Sequence, residues 1–360
     1  RQRQMCIRDR LTFVPQILLM YLLLALLDAV GYMSRAAFLM DKVMSRAGLE
    51  GRAFVAMLSS FACAIPGIMA TRTIPSAKDR IATMLSAPLA TCSARLPVYV
   101  LLVGILVPAG SSLGPVSVRG LVLFGMYLLG ALSAMLAARV VKKITDRSGT
   151  LLPFYMEMPP YRIPTPRSVG MAMWEPTKAF LRKAGTIIMG ATIVIWALTT
   201  FPLRSDAEMT AAGVDPSDEV AATAYNMEHS AAAKVGKAIE PVFAPQGFDW
   251  RVNISLIGSM AAREVAVSTL GQVASASDPE DDVSVSESVQ KWTYTDGPHQ
   301  GEKVFTPDTT IAMLIFFAFA LQCVATIGIL KRESGSWKWP AIAFGYMLSL
   351  IHISEPTRPY

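Results

Sequence analysis

Charge is scarce in this chain. Only 17% of its 360 residues are Asp, Glu, Lys or Arg, against about 25% in an ordinary soluble domain. The uncharged positions gather into apolar runs that approach or pass the roughly 20 residues a helix needs to cross a bilayer, and the mean hydropathy is +0.41. A soluble globular domain is excluded. The composition predicts an all-α polytopic membrane protein.

Chemistry-bearing motifs are as scarce. The chain contains no G-x-x-x-x-G-K-[ST] phosphate loop, no HExxH and no C-x-x-C, so no nucleotide-binding or catalytic residue is assigned and no enzymatic activity is expected. The four cysteines lie in apolar or terminal stretches and form no disulfide framework. His229 and His299 fall in acidic loops and read as solvated. The 20 methionines are scattered at helix positions instead of grouped, as core or lipid-facing Met would be.

Both ends read as foreign. Residues 1–10, RQRQMCIRDR, and 348–360, beginning LSLIHISEPTR, look like in-frame translations of a sequencing-library adapter, and such segments are set aside. Without their five arginines and two acids the formal net charge falls from +6 to +3. That modest excess implies no nucleic-acid partner.

What remains reads as two gate repeats. Residues 11–30 span, 31–52 are amphipathic and basic, and 54–70 are apolar but broken at Pro66-Gly67. Residues 81–108 cross with an interruption around 91–97, and 118–141 cross again. Residues 11–138 thus form the first repeat and its following span. Residues 139–183 carry nine Lys/Arg against three acids and read as a basic connector with a proline-rich extended stretch. In 184–347, residues 184–202 span, 250–274 are apolar around Arg263-Glu264, 310–330 span, and a last helix starts near Pro340. The acidic stretches 204–248 and 276–308 read as outer loops, the latter mobile. Basic loops mark the cytoplasmic side, so 53–70 and 250–274 should each enter the membrane and return, from opposite faces. This is the inverted-repeat plan of many transporters, with broken helices near the midplane, where non-helical backbone must line a cavity or be buried in protein.

Candidate site residues follow from that plan. Cys63 is a soft ligand for a transition metal, beside carbonyls freed by Pro66. Cys323 and Cys92 are further thiols, and Cys63 and Cys323 read as equivalents in the two repeats. Glu264 is an ionisable group inside a membrane segment, hence a functional candidate. Gly67, Ser93 and Asp28 complete the gate candidates, though Asp28 is also explained by capping near the interface. Arg95 reads as a stabiliser of the break.

These residues resemble the membrane domain of the ferrous iron transport protein B (FeoB) family. The resemblance runs through GYMSRAAFLMDKVM (31–44), LSSFACAIPGIMATRTI (58–74), APLATCSARLPVYVLL (87–102), PFYMEMPPYRIP (153–164), RKAGTIIMGATIVIW (182–196), SMAAREVAVSTLG (259–271) and CVATIGILKRESGSWKW (323–339). It implies Fe(II) as transported substrate, no resident cofactor, a bacterial inner-membrane location, and Cys63, Cys323 and Cys92 on the ion path. It also implies an N-terminal GTP-binding domain as regulator, absent from this sequence, and small Feo accessory proteins as partners. A homo-oligomer is compatible with it. Ala62 and Ala64 stand where many members have Gly and Asn, and Asp28-Ala29 where many have Glu-Asp. The alternative is a gate-type carrier of nucleosides or other small solutes.

Overall fold

In the computed structural model, residues 15, 18–108, 110–145, 161, 165–201, 206–211, 213, 225, 226, 228–261, 263, 265–274, 282–294, 300–321 and 323–351 are described. Among them the regular secondary structure is helical apart from a hairpin of two-residue strands, β1 (Ser112–Leu113) and β2 (Val116–Ser117), and an isolated bridge between Thr293 and Lys303. The helices are α1 (Leu18–Val30), α2 (Tyr32–Arg46), α3 (Arg52–Ala62), α4 (Ala64–Ala70), α5 (Ala77–Ser86), α6 (Leu96–Leu106), α7 (Val118–Thr145), α8 (Pro166–Thr200), α9 (Asp206–Ala211), α10 (Ala231–Phe243), α11 (Trp250–Ala261), α12 (Val265–Val273), α13 (Asp282–Val289), α14 (Pro307–Phe319), α15 (Val324–Ser334) and α16 (Lys338–Ile351). Three stretches are long and apolar enough to cross a membrane: Ala77–Leu106, Val118–Thr145 and Pro307–Ser334. Helices α1 and α2 pass the same test together but bend by 83°. Gly31 makes that bend: its φ of 85° lies in the left-handed region, which an L side chain rarely adopts.

The chain divides into two compact units. The first comprises Arg1–Ser93, Ala131–Met189 and Ala325–Pro340. Its core joins Met44, Leu49, Ala53, Met57, Ile74, Ala82 and Ala138. Here α3 and α4 pack back on one another as a hairpin. Gly67 permits the approach, since a Cβ there would lie 1.9 Å from Ser60 Oγ and 2.7 Å from the Ala56 carbonyl. A buried ion pair joins Lys142 of α7 to Asp79 in the first turn of α5.

The second unit comprises Ala94–Gly130, Gly190–Val324 and Ala341–Tyr360. Its core holds an edge-to-face aromatic cluster of Phe243, Phe248 and Phe316, together with Leu102, Leu270 and Phe317. Helices α11 and α12 form the second hairpin. Ser255 Oγ donates across it to the Ala266 carbonyl at 3.0 Å, and Gly258 faces Thr269, whose Oγ1 would lie 2.9 Å from an added Cβ. Each repeat thus contains one hairpin and one broken span in the same chain order.

Four expectations are corrected. The first hairpin breaks at Cys63, three residues before Pro66. Helix α8 starts at Pro166, inside the stretch read as an extended connector, because proline suits the first helical position and Thr165 Oγ1 accepts from Ser168 N–H at 3.4 Å. Residues 310–330 do lie in a candidate span, Pro307–Ser334, but it is built of two helices, the first ending at Phe319 and the second starting at Val324. The acidic stretch 276–308 is ordered over its described part, where α13 buries Val285 and Val289 on one face and Trp292, Val304 and Phe305 follow them into the core. Most of the proline-rich stretch and Glu264 lie outside the described residues, and helix α16 runs through the boundary placed after residue 347.

Candidate functional site at the helix breaks

Cys63 is extended, with φ −158° and ψ 136°, and ends α3 while opening α4. Pro66 explains this geometry. It is the third residue of α4, where its missing N–H is harmless, but a continuous helix would have required that N–H for the Ala62 carbonyl and would have driven the ring into it. The freed Ala62 carbonyl accepts a hydrogen bond from Ser93 Oγ at 3.0 Å. Ser93 follows Cys92, so this bond ties the Cys63 break to the Cys92 break within the first unit. Gly67, read from sequence as part of the break, is instead the close-packing residue of the hairpin.

The second broken span repeats the first. Helix α5 gives way to α6 across residues 87–95, with Cys92 in the gap. Helix α14 gives way to α15 across 320–323, with Cys323 in the gap. By element order the counterpart of Cys323 is therefore Cys92, and the counterpart of the Cys63 break is the break at Arg263 between α11 and α12. This corrects the pairing of Cys63 with Cys323. All three cysteines are half-buried and outside any disulfide. Among the described residues no three His, Cys, Asp or Glu side chains converge on one metal-sized centre.

The charged candidates separate. Asp28 is exposed near the end of α1, and its carbonyl accepts the Gly31 N–H at 2.9 Å. Arg95 is fully buried in the turn before α6. Arg263, read from sequence only as a neighbour for Glu264, is 5% exposed and donates from Nη2 to the Ala320 carbonyl at 3.1 Å.

Sequence reasoning also missed an ionic clamp in the first unit. Arg72, just past α4, donates from Nε to Glu333 Oε2 at 2.7 Å and from Nη2 to Oε1 at 2.5 Å. Arg80 Nη2 adds the Glu333 carbonyl at 3.1 Å and Oε2 at 3.4 Å. The hydrogen bond to Glu333 holds the Arg72 guanidinium above its ordinary pKa. Basic Arg72 and Arg80 and the LKRES run were legible in sequence as charges, and their partnership was not. Nearby, the Glu50 carboxyl is pushed above its usual range by burial, reinforced by Asp79 and Asp41 and opposed by Arg52 and Lys142.

Two hairpins and two broken spans, in repeated order, define a gate-type polytopic membrane protein. Comparison with known families agrees: the model described as "Gate: Nucleoside recognition" matches residues 11–106 and 181–337, and "Ferrous iron transport protein B C terminus" matches 123–175. The Fe(2+) transport protein A/Fe(2+) transporter FeoB fusion protein of Porphyromonas gingivalis is 41% identical over 95% of this chain and 42% of its own length. The Fe(2+) transporter FeoB of Leptospira interrogans is 40% identical over 95% of this chain and 47% of its own, and that of Campylobacter jejuni 33% identical over 95% and 51%. The chain belongs to the ferrous iron transport protein B family. It spans about half the length of the curated relatives it matches, and no solved structure matches it.

Proposed function

We propose that this chain is the ion-conducting membrane region of a ferrous iron transporter, carrying Fe(II) inward across the bacterial inner membrane with its basic loops on the cytoplasmic side. One observation carries the reading: each of three helix breaks presents a thiol beside backbone outside the regular helical ladder, in a chain whose relatives are Fe(2+) transporters. Fe(II) shedding water would meet sulfur from Cys63, Cys92 and Cys323 and carbonyl oxygen at the same breaks, with Glu264 as a carboxylate ligand. Sulfur discriminates against Mg(II) and Ca(II), which prefer oxygen, and a succession of partial ligand sets suits an ion that must leave again. Pro66 and Ser93 hold the first break in shape. A GTP-binding domain and small accessory proteins act as regulators in this reading.

Fe(II) uptake into liposomes carrying a complete transporter with this membrane region tests it. Cys63→Ser, Cys92→Ser and Cys323→Ser should each lower the rate, Co(II) and Zn(II) should compete, and nucleosides should not. Wild-type rates in all three variants remove sulfur from the mechanism, and competition by nucleosides without competition by metals favours the solute carrier.

A further inference from the structure

Helix α14 ends where its own sequence provides no reason to end. Residues 320–324, Ala-Leu-Gln-Cys-Val, hold neither proline nor glycine. An uninterrupted helix would give the Ala320 carbonyl to the N–H of Val324. Instead that carbonyl accepts from Arg263 Nη2 at 3.1 Å. The helix C-terminus carries partial negative charge, and Cys323 follows three residues on. Arg263 itself lies in the break between α11 and α12, with a side chain 95% withdrawn from solvent by its 5% exposure, and its Nη1 is buried with no hydrogen-bond partner among the described residues. A buried guanidinium with an unused donor is costly, so packing alone is a poor reason to keep one at this point.

We propose that Arg263 is a tethered resident cation of the second break: it occupies the carbonyl end of α14 between passages and yields it to the metal that reaches Cys323. The inference rests on the Fe(II) reading above and deepens it. A divalent ion and a guanidinium repel at such separations, so metal binding at the break includes the displacement of Arg263. The arginine thereby keeps affinity low enough for release, and its return to Ala320 expels the ion. Arg263 is a positioning residue here, touching the carbonyl and not the metal.

The test uses a complete transporter with this membrane region, comparing wild type with Arg263→Gln and Arg263→Lys. Cobalt(II) is titrated as the probe, read by thiolate-to-cobalt absorbance, and Fe(II) uptake is measured against concentration. Removing the buried charge should tighten cobalt binding by about tenfold or more, since one elementary repulsion at low dielectric exceeds a pKa unit in energy. Half-saturation and maximal rate of uptake should both fall in Arg263→Gln, while Arg263→Lys should restore both. Unchanged or weaker cobalt binding in Arg263→Gln overturns the proposal, as does an unchanged maximal rate or a variant that binds no cobalt. Failure of wild-type uptake would instead sink the transport reading, leaving the cobalt affinities to decide the role of Arg263.

Discussion

Glu333 accepts two hydrogen bonds from the guanidinium of Arg72, a residue 261 positions earlier in the chain. The pair joins the end of the helix that starts after Cys323 to the turn that follows the helix starting after Cys63. Glu333 is almost fully buried and Arg72 half-exposed, with side-chain exposures of 3% and 48%, so the carboxylate suffers more from loss of its partner. Glu333→Gln should lower unfolding free energy by about 2 kcal/mol, in the range of hydrogen bonds to charged groups, read as a fall in thermal midpoint in detergent. Arg72→Gln should cost less, because Arg80 still reaches Oε2 and solvent screens the exposed partner. Reversal of both charges should recover part of the loss; a double variant no better than the sum of the singles would show that the pair is not coupled.

Gly67 should tolerate no side chain. An alanine Cβ meets Ser60 Oγ and the Ala56 carbonyl well inside van der Waals distance, so Gly67→Ala should force α4 off α3 and cost at least about 1–3 kcal/mol, as overpacking does. Adding Ser60→Ala removes the hydroxyl clash and leaves two others, the Ala56 backbone carbonyl at 2.7 Å and the residue-60 Cβ at 2.9 Å. Only partial recovery of thermal stability and uptake is expected.

Ser93→Ala deletes the donor to the Ala62 carbonyl and should cost about 1–3 kcal/mol if that carbonyl stays dry. Ser93→Thr keeps the hydroxyl and should retain most of the stability. Reactivity of Cys63 and Cys92 toward a small maleimide gives a second measurement, and both thiols should label faster in Ser93→Ala if the two breaks are held by this bond. Equal labelling in wild type and variant would show that they are held by something else.

Glu50 provides a pH test. Burial raises its folded-state pKa above the unfolded value, so the native state holds the proton more tightly. The favourable contribution is full below the ordinary glutamate range, near 4.3, and is lost as pH rises through the raised folded pKa. With Oε1 buried and unpartnered among the described residues, Glu50→Gln should stabilise the protein at neutral pH and change little at pH 4, measured as thermal midpoint against pH. A variant whose gain is the same at both ends of that range would show that ionisation is not the cause.

Much of the architecture was legible in the chain because its causes are local. Apolar length marks a span whatever surrounds it, and Pro66 dislodges the Ala62 carbonyl four residues upstream through its own ring. The sequence alone therefore pointed to spans over 81–108, 118–141 and 310–330 and to a break close to Pro66, which the structure places at Cys63. Other features needed the tertiary structure. The break at 320–323 has no breaker nearby and is held by a guanidinium 57 positions away, and Glu333 acquires its meaning from arginines over 250 positions distant. Cys92, not Cys63, matches Cys323 because the match is between elements in order, and a helix interrupted from a distance looks continuous in any short window. Proline and glycine act through covalent geometry within a few residues; a carbonyl satisfied by a remote side chain is decided only when the fold brings them together.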